Sequence, residues 1–291
     1  MMMQSFWAIL AAAAFSMMAV FVKLCSGHFS FYELVFYRSL LGVITIGFFI
    51  VSHGYSIRTK MVGGHVARSI LGTLSIFLWF FTLGSMPLGT NMTLIYTTPL
   101  FMAVNFILLA LMRHQKAPWG VVAAILVGFF GVTIVLQPSF DAGYLIPSLI
   151  CLSVAFIDLI TYWQIKELGV MKEPNWRIVF YFTLTGTVTG LISALTLGGG
   201  MTMPDTQSGL YLLGMGLCAT LGQYSSTRSY ANGNMLLSSC LGFSAIPISA
   251  LLGWIMFSEA QGSKALLGMA LIVASGVIAT LYTKRTEKKR Q

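Results

Sequence analysis

The sequence predicts an all-α integral membrane protein: ten transmembrane helices in two inverted five-helix repeats, with both termini in the cytoplasm. Three observations lead there. Hydrophobic residues make up 57% of the chain and charged ones 9%, with a mean hydropathy of +0.83, whereas soluble domains carry about 25% charged residues. Apolar stretches long enough to cross a hydrocarbon core of about 30 Å follow one another with only short connections. A polar, proline-broken stretch late in the first half is echoed late in the second.

The spans fall at 5–25, 32–52, 65–85, 88–112, 118–137, 143–164, 178–198, 209–230, 235–257 and 265–283. The first is read as a retained span, not a cleaved signal peptide, because it lacks a basic leader and similar segments follow it. The longest connections, His53–Gly64, Ile165–Arg177 and Gly199–Ser208, leave no room for an inserted soluble domain. Orientation follows from the basic residues. Of the 17 Lys and Arg, all but Lys23, Arg38 and Lys264 lie in the even-to-odd connections, the tail or adjoining helix ends. Basic loops stay on the cytoplasmic side. The net charge of +9 therefore reports membrane orientation, and no nucleic-acid partner is expected.

The fourth span, LGTNMTLIYTTPLFMAVNFILLALM, carries Asn91, Thr98 and Asn105 seven residues apart, hence on one helical stripe. Pro99 removes a backbone donor and frees the carbonyl four residues earlier. In lipid such groups need protein or a watery cavity to satisfy them. The ninth span repeats the design around Pro247, with Ile95 aligning on Phe243 and Leu88 on Leu236. The following spans align too, Leu126, Gly131, Val132 and Leu136 meeting Leu271, Gly276, Val277 and Leu281. This reads as an internal repeat, residues 1–138 and 139–291. Five spans per half is an odd number, so the second half enters from the opposite side and the repeat is inverted. Secondary transporters recurrently use this plan, with a site near the midplane.

Charged side chains inside spans are costly and usually face a cavity or a partner. Arg38 and Asp158 are the deepest, at about 9 Å and about 22 Å from the outer ends by helix rise. Arg38 would meet a carboxylate and Asp158 an ammonium or sulfonium; an ion pair or a bond to a helix carbonyl that only fixes packing is the competing reading. Lys23 and Glu33, nearer the outer ends, would snorkel. Arg68 and Arg228, at inner ends, are explained by headgroup contact, and Glu259 by solvation or capping. Among many aromatic residues, Trp79, Tyr96 and Tyr224 stand beside polar or helix-breaking residues and are candidate substrate contacts; most others are read as belt or packing residues. Gly186 and Gly190 permit close helix approach. Cys25, Cys151, Cys218 and Cys240 show no metal or disulfide spacing and read as small buried hydrophobes. No HExxH, GxSxG or P-loop occurs, so neither an enzyme nor ATP-driven transport is expected. No metal and no cofactor is expected.

FYRSLLG around Arg38, MPLGTNMTLIYTTPLF and IMFSEAQGSKALLGMALIVASGVIATL, in this order and spacing, resemble the EamA branch of the drug/metabolite transporter superfamily across essentially the whole chain. HVARSILGTLSIFLWFF, ELGVMKEPNWRIVFYFTL and GQYSSTRSYANGN are most similar to the subgroup labelled S-adenosylmethionine uptake carriers. The resemblance implies a central cavity lined by spans one to four and six to nine, with five and ten peripheral. In the family the fourth and ninth spans often end in Glu. Glu259 fits, whereas the first half has Arg113-His114. The expected function is secondary transport of a small amphipathic metabolite, S-adenosylmethionine-like or amino-acid-like, across the inner membrane. Efflux of drugs or amino acids, or a non-transport enzyme or scaffold protein with a carrier-like fold, are the alternatives. The expected partners are the substrate and the bilayer, and a homodimer is left open.

Overall fold

A computed structural model describes residues 2–25, 27–83, 85, 88–115, 117–137, 142–257 and 262–288, and the regular structure within them is helical. The elements are α1 (Met2–Ser5), α2 (Trp7–Cys25), α3 (Phe31–Ser52), α4 (Val62–Leu83), α5 (Leu88–Ile95), α6 (Thr98–Met112) and α7 (Trp119–Leu136). After a 3-10 turn (Ala142–Tyr144) come α8 (Leu145–Val170), α9 (Asn175–Thr196), α10 (Thr206–Asn232), α11 (Met235–Gly242), α12 (Ala245–Phe257) and α13 (Ser263–Lys288). Glu259, along with Lys116, Gln261, Lys289 and Arg290, lies outside the described residues.

Local chemistry sets the helix ends. Ser30 caps α3 in a capping box: its hydroxyl accepts from the Glu33 N–H, and the Glu33 carboxylate accepts from the Ser30 N–H at 2.8 Å. Asp205 and Ser208 do the same for α10. Such boxes satisfy the orphan donors of a first turn. Glu33 also accepts from the Thr202 N–H, which ties the α9–α10 connection to α3. It is thus a buried cap, not the snorkelling side chain expected from its place near a helix end.

The surface is apolar where lipid would lie: Phe48, Leu111, Phe130, Leu195 and Leu267 are exposed. The interior, in contrast, holds Arg38, His65, Arg68, Asn91 and many Ser and Thr. A water-soluble protein sorts its residues the other way. Among the described residues nine helical stretches are long and apolar enough to cross a membrane. The expected eighth span, 209–230, is the one missing from that set. It lies within α10, a helix of 27 residues and so about 40 Å long. Its C-terminal half is polar because Ser225, Ser226, Thr227 and Ser229 are buried against protein. Lipid has no claim on that surface, and hydropathy along the sequence falls with it.

The main packing pairs run between the halves: α2 with α10, α3 with α9, α4 with α8 and α7 with α13. The α3–α9 contact is as close as the Gly186/Gly190 spacing suggests. A methyl at Gly190 would lie 2.9 Å from the backbone of Phe36. The α7–α13 pair meets backbone to backbone, a methyl at Gly131 falling 2.6 Å from the Gly268 carbonyl oxygen.

Both proline-bearing spans are broken, and in the same way. The first breaks at Tyr96-Thr97 between α5 and α6, the second at Phe243-Ser244 between α11 and α12. Pro99 frees the Ile95 carbonyl, and the Thr98 hydroxyl donates to it at 2.9 Å. Pro247 likewise frees the Phe243 carbonyl, which accepts instead from the Ile246 N–H at 3.1 Å. The breaks face each other, the Tyr96 and Phe243 rings meeting edge-on at 6.2 Å.

Candidate functional site

Between the halves lies a cavity of about 320 Å³. Its wall comes from α2, α3, α4, the α5–α6 break, α8, α9, α10 and the α11–α12 region. Among the described residues α7 and α13 contribute nothing to it. That is the division the family resemblance implies.

The structure brings Arg38, Trp79, Tyr96, Pro99 and Asp158 to this one wall. Arg38 is 7% exposed, and among the described residues no ion pair joins it to Asp158. Asp158 accepts from the Ser75 hydroxyl at 2.6 Å. Asn91, expected to line the cavity, is buried one layer behind it. Its side-chain oxygen accepts from Trp79 Nε1 at 3.1 Å, and its amide donates to Thr82 Oγ1 at 2.9 Å. It holds the Trp79 indole in place, and Met92 and Ile95 carry the cavity face of α5 instead. Asn105 of the same stripe likewise accepts from Trp163 Nε1. Pro247 shapes the second break without reaching the wall; Ala245 and Ser249 beside it do.

Tyr224 is a correction. It sits against Ile46, Ile50 and Val179 on the other side of α10, its ring edge-on to Trp7 at 6.5 Å. The next residue back, Gln223, faces the cavity instead. A shift of one residue turns a helix by about 100°, enough to exchange cavity for packing.

Three more wall residues are Arg68, read from the sequence as a headgroup contact, and Tyr162 and Tyr230, left among the belt or packing aromatics. Arg68 is 3% exposed, with its guanidinium carbon 4.3 Å above the Phe182 ring. Its Nε and Nη1 find no hydrogen-bond partner among the described residues. Tyr162 and Tyr230 stack with ring centres 3.9 Å apart and planes within 10°, and both face the cavity. A helical signal for the α4 face was present in the sequence: Arg68, Gly72, Ser75, Ile76 and Trp79 recur at i, i+4, i+7, i+8 and i+11, and all reach the wall.

One end of the bundle is tied by polar contacts. Glu173, in the turn between α8 and α9, accepts from Thr59 Oγ1 at 2.6 Å and Arg177 Nη1 at 2.8 Å, with His65 Nε2 at 3.4 Å. Burial alone would raise its pKa. The bonds from Thr59 and Arg177, the nearby His65 ring and the Arg177 charge outweigh burial and hold the carboxyl below its ordinary value. Arg177 also donates to the Ser56 carbonyl, and Tyr181 to that of Ile57. At the same end Lys166 donates to the Ala231 and Gly233 carbonyls. Arg228, expected at the headgroups, instead donates to Gln4 and covers the Trp7 ring at 4.2 Å.

Comparison with known proteins gives a family match over the first part of the chain. The EamA-like transporter family model matches residues 2–137. The chain is 29% identical to a riboflavin transporter of Vibrio cholerae over 81% of this chain and 77% of that one. It is 26% identical to a pseudopaline exporter of Pseudomonas aeruginosa over 97% and 95%. An S-adenosylmethionine uptake transporter of Rickettsia prowazekii is 22% identical over 97% and 92%. A solved crystal structure superposes with a TM-score of 0.81 at 18% identity, covering 96% of this chain and 98% of that one, a likeness of fold alone.

Proposed function

We propose that this chain, whose residues 2–137 match the EamA-like transporter family model and whose helices are long and apolar enough to cross a membrane, is a multi-pass secondary carrier of the cell inner membrane. It moves a small amphipathic metabolite by alternating access through the central cavity. The observation that carries the reading is that cavity: a pocket with Arg38, Arg68 and Asp158 in its wall, inside a bundle whose outer face is apolar. Buried charge is costly, and a charged pocket at membrane depth has its natural use in a polar passenger.

The architecture that goes with the proposal is ten spans in two inverted repeats, 1–138 and 139–291, with cytoplasmic termini. Two features support it. Exchanging the halves turns the α2–α10 pair into α8–α4 and maps α3–α9 and α7–α13 onto themselves, so the packing has the symmetry of the repeat. On α10, Leu210, Leu213, Leu217 and Leu221 form one exposed stripe at helical spacing, as a tenth span facing lipid on one side requires.

The substrates for which the relatives are named differ widely, and the sequence leaves an S-adenosylmethionine-like cation and an amino-acid-like zwitterion as candidates, in either direction of transport. The deciding measurement is flux of radiolabelled metabolites into proteoliposomes holding the purified chain, without nucleotide. Saturable uptake above empty vesicles, with counterflow by unlabelled substrate, is the expected result. Its absence across amino acids, flavins and nucleoside-like metabolites would sink the proposal.

A further inference from the structure

We infer that the cavity takes an organic anion: a ring-bearing body with one carboxylate or comparable monoanionic group held by Arg38 and Arg68. This rests on the carrier reading of the cavity and departs from both substrate candidates named for it. The inference comes from the charge on the wall. Among the described residues, the fixed or titratable groups facing the cavity are Arg38 from α3, Arg68 from α4, Asp158 from α8 and the phenols of Tyr96, Tyr162 and Tyr230. A guanidinium stays protonated in proteins, and a tyrosine is neutral near pH 7. The wall therefore carries one net positive charge with Asp158 ionised and two with it protonated. No protonation state of Asp158 makes it neutral.

Nor are the charges paired by contact. Asp158 is engaged by the Ser75 hydroxyl, and among the described residues no ion pair joins it to either guanidinium. Arg38 makes no hydrogen bond among them, and Arg68 leaves Nε and Nη1 unpartnered. A buried unpaired cation is costly and is relieved by an anion that accepts its hydrogens. Phe182 lies against the Arg68 guanidinium and backs it as a flat plate, the geometry suited to a carboxylate. Rings are at hand for the rest of the ligand, from Trp79, Tyr96 and the stacked Tyr162–Tyr230 pair. A cationic metabolite would add to the like charge instead of cancelling it.

The test uses three ligands that share a naphthalene ring and differ in charge: 2-naphthylacetate, 2-naphthylacetamide and 2-(2-naphthyl)ethylamine. Binding to the purified full-length protein in detergent is measured by calorimetry. The acetate should bind at least about tenfold more tightly than the amide, which corresponds to about 1.4 kcal/mol, and the amine more weakly than both. Arg38→Gln and Arg68→Gln should each abolish most of the preference for the acetate while leaving the amide nearly unchanged. Arg68→Lys, which keeps the charge, should retain part of it. Equal binding of acetate and amide, tightest binding of the amine, or no binding of the acetate overturns the inference, and the wild-type ranking decides this even where a variant does not fold. Flux is scored separately. An anion preference in binding without transport in proteoliposomes would defeat the carrier reading and leave the anion site standing.

Discussion

Asn91 does the work of several residues from a place that no substrate touches. Its carbonyl oxygen holds the Trp79 indole, and its amide spans Thr82 and Cys151. Asn91→Ala strands the indole N–H, while the Thr82 hydroxyl keeps its bonds to the Trp79 carbonyl and to Cys151 Sγ, and an unsatisfied buried polar group costs about 1–3 kcal/mol. Thermal unfolding should report that loss, and ligand affinity should fall as Trp79 becomes free to rotate. Unchanged affinity at reduced stability would confine Asn91 to packing. Arg38, Trp79, Tyr96 and Asp158 could be singled out in the sequence because each is an anomaly in an apolar run. Arg68 could not, since its run was taken to begin at residue 65. The helix begins at Val62, which puts Arg68 six residues in, about 9 Å deep. Tyr224 and Gln223 show the opposite difficulty. Neighbours on a helix face different ways, and a weakly amphipathic span gives no phase by which to choose between them.

The broken helices are the elements that shape the wall. Pro99 and Pro247 announce them, and the pairing of the two breaks was legible from the repeat. What the sequence does not carry is where the chain resumes its helix, because that depends on which group takes up each freed carbonyl. Here the Thr98 hydroxyl bonds Ile95, and an amide bonds Phe243. Pro99→Ala restores a backbone donor to the Ile95 carbonyl and should extend helix through Tyr96-Thr97. Hydrogen exchange across residues 95–99 should slow, and ligand binding should weaken as Tyr96 leaves its place; exchange as fast as in the wild type would show that the break does not depend on the proline. A second element-scale test is the α3–α9 contact. Gly190→Leu drives a side chain into the Phe36 backbone and should lower stability by several kcal/mol, since no small rearrangement makes room beside backbone. The same change at Gly63, whose Cβ position is open, should cost little.

Across the whole molecule, composition alone gave the membrane class, and the positive bias gave an orientation that tags can check. Labels at Thr59, Gln115, Lys172 and the C-terminal tail should report the cytoplasm, and labels at Gly27, Met203 and Gln261 the outside; opposite sides for the two termini would defeat the even number of spans. The polar tie at Glu173 makes a further prediction. Its pKa is lowered on folding from 4.5, so the stability it lends is present above the unfolded value and is lost as pH falls through the lower folded one. Trp176, stacked on Tyr55 at 5.5 Å beside this tie, offers a fluorescence signal that should change on acidification across that window. Glu173→Gln should remove the pH dependence.

The imbalance of charge around the cavity bears on energetics at a larger scale. In the proposed alternating-access cycle an empty carrier with a positive wall moves charge when it reorients, whereas one whose wall, with Asp158 ionised, is neutralised by a monoanion does not. Membrane voltage acts on a moving charge by about 2.3 kcal/mol per 100 mV. In a cell with a negative interior the empty protein is drawn toward facing inward, and the loaded protein returns outward without electrical work. Voltage alone would therefore bias the cycle toward expelling anions. In vesicles whose potential is clamped by potassium and valinomycin, making the side that corresponds to the cytoplasm negative should speed anion exit, and reversing the potential should slow it.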